Sequence, residues 1–158
     1  MENQKLDFED FIVTVNSEYR GFVDELHHDL LKRGCKFEVK DAKSGYIVSY
    51  NLNKKTIANY VFRKKGLIVR IYANQINRYM EFLDTLPEGM IHTIRDAPIC
   101  KRLVNPDSCN SKCTMGYDFL LRGEHFQKCR SNAFMFSLCE ENNSFIKLFL
   151  ENEIEACS

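Results

Sequence analysis

Four of the seven cysteines follow one another in the second half of the sequence at spacings that allow them to share a metal ion. The pattern is C-x8-C-x3-C-x15-C, and its members are Cys100, Cys109, Cys113 and Cys129. Four thiolates at about 2.3 Å hold zinc in a tetrahedron and stabilise a loop that has few apolar side chains of its own. The spacing therefore predicts a structural Zn²⁺ site.

The same cysteines allow other chemistry. An iron–sulfur cluster also takes four cysteine ligands, but the spacing matches neither common ferredoxin pattern. Without a metal they would be free thiols, and a redox sensor or enzyme would use Cys113 or Cys129 as its thiolate. Cys139 is a reserve ligand, and His125 could replace one cysteine. The sequence has no Gly-rich phosphate loop, HExxH helix or nucleophile elbow, which favours a non-enzymatic binding module.

Basic residues stand beside three of these cysteines, where they would offset the negative charge of a zinc ion with four thiolates. They are Lys101, Arg102, Lys112, Lys128 and Arg130.

A second candidate site is the basic middle of the chain. Residues 31–72 carry eleven bases and two acids, although the formal net charge of the whole chain is zero. The bases that could face an anionic partner, with nucleic acid as the obvious candidate, are Lys54, Lys55, Arg63, Lys64, Lys65 and Arg70. Arg70 near Tyr60, Phe62 and Tyr72 would form a mixed basic and aromatic surface that suits single strands. Alternatively, the aromatic rings pack under a helix and the lysines only solvate hairpin tips.

Hydrophobic periodicity predicts the elements that position these residues. Apolar residues from Leu6 to Gly34 recur at three- and four-residue spacing, which predicts a short helix and a longer one divided at Asn16 and Ser17. From Lys36 to Tyr72 the period changes to two, and four segments rich in β-branched and aromatic residues predict an antiparallel meander.

The second half of the chain mixes short elements with a loop. Helical spacing from Asn74 to Arg95, interrupted at Pro87, predicts two short helices. Residues 96–116 form a loop that carries three of the cysteines. Short strands at 117–121, 126–130 and 133–138 and a helix from Asn143 complete an α+β chain.

Length and composition predict one α+β domain over residues 1–158, with a helix and meander part (1–95) and a cysteine-cluster part (96–158). The sequence has neither the pattern of a signal peptide nor an apolar run as long as a membrane span, so we expect a cytoplasmic protein that does not enter the membrane.

Five segments carry a resemblance to known sequences. They are AKSGYIVSY at 42–50, KTIANYVFRKKGL at 55–67, CNSKCTMGYDF at 109–119, QKCR at 127–130 and FMF at 134–136. The chain carrying these segments resembles, over most of its length, a group of small bacterial hypothetical proteins with the same C-x3-C and QKCR cysteines. That resemblance implies a bacterial origin and supplies no activity and no catalytic residues.

Overall fold

The predicted α+β class is confirmed in a computed structural model that describes residues 7–42, 45–63, 66–100, 103 and 116–157. The helices are α1 (Phe8–Ile12), α2 (Ser17–Lys32), α3 (Glu88–Asp96) and α4 (Glu140–Ala156). The strands are β1 (Lys36–Ala42), β2 (Gly45–Leu52), β3 (Lys55–Arg63), β4 (Gly66–Ile71), β5 (Tyr117–Leu121), β6 (Glu124–Lys128) and β7 (Met135–Ser137). Within the described residues, none of the helices has the length and apolarity needed to cross a lipid bilayer.

The division of the first segment into two helices is confirmed. Asp7 begins α1 through a capping box. Its side chain accepts a hydrogen bond from the backbone amide of Asp10, and the Asp10 side chain accepts one from the backbone amide of Asp7. The second helix ends before Gly34, whose φ of +100° is a conformation that residues with a Cβ rarely adopt.

The meander is confirmed and gains a fifth strand. Strands β1 to β4 pair in sequence order, and β7 adds to the free side of β4, also antiparallel. Strands β5 and β6 form a separate hairpin. Asn53 and Lys54 connect β2 to β3 with φ values of 52° and 68°, as a two-residue hairpin turn requires.

Helices cover one face of the five-stranded sheet, which we call the inner face. Phe11 of α1 lies 5.5 Å from Tyr60 between ring centroids, and the His27 ring of α2 is hydrogen-bonded to the Tyr50 hydroxyl at 3.0 Å. Phe149 of α4 lies 6.1 Å from Phe136 of β7 between ring centroids. The opposite, outer face carries a row of paired residues, Ser49, Asn59, Arg70 and Met135.

This register corrects the predicted basic and aromatic surface. Arg70 pairs with Asn59, whereas Tyr60 pairs with Val69 and is buried. Arg70 therefore lies on the opposite face from Tyr60 and Phe62, because a pairing shift of one residue exchanges the two faces of a strand. Phe62 packs edge-on against Phe11, at 6.0 Å between ring centroids.

Several boundaries in the second half also differ from prediction. The segment before Pro87 forms two 3₁₀ helices, Ile76–Arg78 and Met80–Thr85, in place of one α-helix. Strand β6 begins at Glu124 and ends at Lys128, so Cys129 follows the strand. Helix α4 begins at Glu140, three residues before the predicted start.

Candidate metal site and cationic pocket

Cys100 and Cys129 lie on two backbone segments that pair with each other. Ile99 forms an antiparallel bridge with Lys128, and hydrogen bonds of 2.8 Å on either side join the Cys100 amide to the Gln127 carbonyl and the Cys129 amide to the Pro98 carbonyl. The two cysteines are therefore diagonal neighbours, a relation in which Cα atoms are roughly 7–8 Å apart and side chains share one side of the ladder. Two ligands of one metal ion can have this relation.

Each of these two sulfur atoms accepts an N–H hydrogen bond. The Gly116 amide donates to Sγ of Cys100 at 3.3 Å, and the Asn132 side-chain amide donates to Sγ of Cys129 at 3.5 Å. Hydrogen bonds of this kind accompany metal-bound ligands and hold them in position.

Gly116 brings the end of the cysteine loop against this pair. A Cβ at this position would overlap the carbonyl oxygen of Lys128 and come within 2.9 Å of the Cys100 Cβ. The close approach requires glycine, and Cys113 is three residues earlier in the chain.

The predicted four-cysteine site is only partly within the described residues, because Cys109 and Cys113 lie outside them. In the described part of the chain, no three His, Cys, Asp or Glu side chains gather where they could hold a metal. Neither reserve ligand supplies a third donor there: Cys139 is exposed just before α4, and His125 is bonded through Nε2 to Asp118 at 2.6 Å. Zinc on all four cysteines stays a prediction.

The basic residues on either side of Cys129 have partners other than sulfur. Nζ of the buried Lys128 donates to the carbonyl oxygens of Arg95 at 2.7 Å and Ala97 at 2.8 Å, where α3 ends. A cation at this position also interacts favourably with the helix dipole. Lys101, Arg102 and Lys112 lie outside the described residues.

Two further cysteines are unsuited to thiolate chemistry. Burial raises the pKa of Cys35 to about 11, and burial together with a hydrogen bond to Glu153 raises the pKa of Cys157 to about 11. Both are protonated at neutral pH, and a protonated thiol is a poor nucleophile.

The outer face of the sheet contains an open pocket of about 530 Å³. Two cations, two amides and three hydroxyl groups line it among the described residues: Lys55, Arg130, Asn59, Asn74, Ser49, Thr56 and Tyr72. None of these lining residues is a carboxylate.

Of the two cations, Arg130 is the one whose side chain is held in a fixed orientation. Its guanidinium carbon lies 5.2 Å from the centroid of the Tyr72 ring and 5.6 Å from that of Tyr117, and its Nη2 donates to Oδ1 of Asn74. The Tyr117 hydroxyl is itself fixed by the Ala73 amide, which donates to it at 3.1 Å. Two ring contacts and a hydrogen bond therefore orient a planar cation at the pocket wall.

The basic residues that the sequence predicted for an anionic partner lie in different environments. Lys55 lines the pocket and forms no ion pair within the described residues, whereas Lys54 is exposed on the β2–β3 turn. Arg70 is near the pocket on the row of Asn59, but its Nε donates to the Ser131 carbonyl at 2.7 Å. The side chains of Arg63, Lys64 and Lys65 lie outside those described.

Sequence reasoning missed Asn59 and Asn74 and assigned Arg130 to the cysteines. Arg130 is 56 positions from its partner Asn74, so no local pattern joins them. The only sequence signal that pointed to Arg130 was its position directly after Cys129, at the end of the strand predicted for residues 126–130.

Comparisons of the chain with protein-family models, with curated proteins and with solved structures give no significant match.

Proposed function

We propose that this chain is a non-enzymatic binding module that recognises an anionic partner on the outer face of its sheet. The observation that carries the proposal is the pocket that Arg130 and Lys55 both line, with no carboxylate among the described lining residues. Cations on protein surfaces commonly pair with nearby acids, and here the positive charge is left for a ligand.

The position of Arg130 makes it suitable for this role. Because Tyr72, Tyr117 and Asn74 already hold its guanidinium, an incoming anion would not have to immobilise a flexible side chain. Preorganisation of this kind improves affinity by reducing the entropy lost on binding. Tyr60 faces the other side of the sheet, so its ring cannot stack on a ligand at the outer face. Recognition would therefore depend on charge and hydrogen bonds.

We also propose that zinc bound by Cys100, Cys109, Cys113 and Cys129 holds the segment that leads to Arg130. The paired backbone of Cys100 and Cys129 and the N–H donors at both sulfur atoms support this part. Zinc would fix Cys129, and Arg130 follows it directly.

Binding is tested with a fluorescent thymidine dodecamer and with inorganic polyphosphate, each at low and at moderate salt. We expect both Lys55→Ala and Arg130→Ala to weaken binding, and the affinity to fall as salt increases, because phosphate contacts release counterions. Lys32→Ala is the matched control, since it removes one charge from the exposed end of α2. An equal loss in the control, or no binding of any anion at low salt, would refute the proposal.

The metal is tested by elemental analysis of protein purified without added metal. We expect one zinc per chain, lost in Cys100→Ser and Cys129→Ser and retained in Cys139→Ser. Thiol titration with and without a chelator separates zinc from the alternative of a reactive thiol. If the sulfur atoms of Cys100, Cys109, Cys113 and Cys129 react equally fast with and without the chelator, structural zinc is excluded.

A further inference from the structure

We propose that the pocket binds a small phosphorylated molecule, with its phosphate group held by Arg130 and Lys55. This inference rests on the proposed function, because it names the class of anion that the outer face recognises. Three features support it: the donors available, the volume of the pocket and the contacts that already cover Tyr72 and Tyr117, the two rings beside Arg130.

The donor geometry favours phosphate. A guanidinium carries five N–H donors, and within the described residues only the one bond from Arg130 to Asn74 uses them. The remaining donors lie in one plane and match the spacing of phosphate oxygens, while Lys55 provides a second positive charge for a group that is doubly charged near neutral pH.

Asn59 lines the pocket, and its amide contacts the hydroxyl group of Tyr72. Its Nδ2 lies 3.4 Å from the Tyr72 hydroxyl, and its Oδ1 is buried with no hydrogen-bond partner within the described residues. Turning the amide by a half rotation lets Oδ1 accept from the Tyr72 hydroxyl and puts the NH₂ group at the position that has no partner. That position has almost no exposed surface, so Asn59 shapes the pocket wall and is not counted among the donors to the ligand.

The dimensions favour a small ligand over a polymer. A volume of about 530 Å³ lies in the range of roughly 300–1,000 Å³ that is usual for small-molecule sites. Single strands are normally held by stacking on exposed rings, but the Tyr72 ring is covered by Arg130 and Tyr117 is buried.

The charges beyond the pocket also give no support for an extended polyanion. Glu38 is the residue paired with Ser49 on the neighbouring strand, so a carboxylate stands where a longer anionic chain would continue across the sheet. Lys40 forms an ion pair with this carboxylate at 3.1 Å, so the two charges offset each other and this pair adds no net positive charge for a longer anionic chain.

Calorimetric titration at one fixed ionic strength tests the inference. The probes are ribose 5-phosphate and adenosine monophosphate, each with its unphosphorylated counterpart, and the thymidine dodecamer. We expect at least one phosphorylated probe to bind and neither ribose nor adenosine to do so. Arg130→Ala should weaken binding by about tenfold or more, and Arg130→Lys should restore only part of it, because lysine keeps the charge but lacks the planar donors.

A second variant keeps the test decisive if Arg130→Ala does not fold. Asn59→Asp preserves the shape of the side chain but puts a negative charge in the pocket, and we expect a loss of about tenfold or more from like-charge repulsion. Lys32→Ala should bind the phosphorylated probes like the unchanged protein.

The possible failures are distinguishable. If the dodecamer binds through Lys55 and Arg130 but no small phosphorylated probe does, the small-ligand inference is wrong and the proposed function stands. If no anion binds, both are wrong. Equal binding of phosphorylated and unphosphorylated probes would also overturn the inference.

Discussion

The two faces of the sheet use their polar and aromatic residues in opposite ways. On the inner face the His27 ring stacks on Phe8 at 3.7 Å and is hydrogen-bonded to Tyr50, so both the ring and its polar atom contribute to packing. On the outer face, Tyr72 and Tyr117 hold Arg130 in place beside a pocket without closing it. The inner face stabilises the fold, and the outer face keeps oriented charge available for binding.

The largest effect should come from an inner-face ring. Phe11 is fully buried against Phe8, Tyr60 and Phe62, so we expect Phe11→Ala to lower the free energy of unfolding by about 3–5 kcal/mol. Urea denaturation measures the change. Ser49→Ala on the outer face is the comparison and should alter stability by less than about 0.5 kcal/mol. Similar losses in the two variants would remove the distinction between the faces.

A pH effect should arise from His27 on the inner face. Burial, reinforced by the nearby His28 and only partly offset by Asp24, lowers the pKa of His27 from 6.5 to about 4. The unfolded chain therefore binds a proton between these values while the folded chain does not, so stability is greatest above about pH 6.5 and decreases as the pH falls to about 4. This titration of His27 should lower the free energy of unfolding by about 3 kcal/mol at most.

The contribution of His27 is isolated by comparing the protein with His27→Gln at each pH, since carboxylates titrate in both. The difference in unfolding free energy between the two should change across this pH range and become constant below it. A difference that does not vary with pH would mean that His27 is not buried in its neutral form.

Replacing either of two inner-face tyrosines with phenylalanine should change the stability of the fold, in opposite directions for the two positions. The Tyr60 hydroxyl is buried with no hydrogen-bond partner in the described part of the chain, so Tyr60→Phe should stabilise the fold by about 1 kcal/mol. Tyr50→Phe removes the hydrogen bond to His27 and should destabilise it by about 1 kcal/mol or more. Thermal unfolding of the pair measures both, and changes of the same sign would contradict the assignment of partners.

The smallest effect should come from the outer-face lysine. Because Lys55 is exposed and has no ion pair within the described residues, Lys55→Ala should change the free energy of unfolding by less than about 0.5 kcal/mol. The same variant should weaken binding of the phosphorylated probes. A large loss of stability would assign Lys55 to the fold and not to the site.

Periodicity predicted most of the elements because it reports local geometry. The change from helical spacing to a period of two at Lys36 separates α2 from β1, and Gly34 ends the helix between them. The 3₁₀ segments were missed because Ile76 and Met80 belong to a spacing that an α-helix and successive 3₁₀ turns both satisfy.

The register and the pocket could not be predicted in the same way. Alternation shows which residues of one strand share a face but not how that strand pairs with its neighbour, so Arg70 was assigned to the side of Tyr60. The pocket is assembled from β2, β3 and the segments after β4 and β6, and only the tertiary fold brings Asn74 to Arg130. For the cysteines, spacing suggested a common site, and the backbone pairing places Cys100 beside Cys129.

The short strand β7 has a consequence for synthesis on the ribosome. Met135 pairs with Arg70 although it lies 65 positions later, so a nascent chain completes the four-stranded meander long before the fifth strand is translated. During that interval one side of β4 presents unsatisfied amides and carbonyls that can pair with another polypeptide. A chain that ends before residue 135 keeps that edge open permanently and should be prone to aggregate.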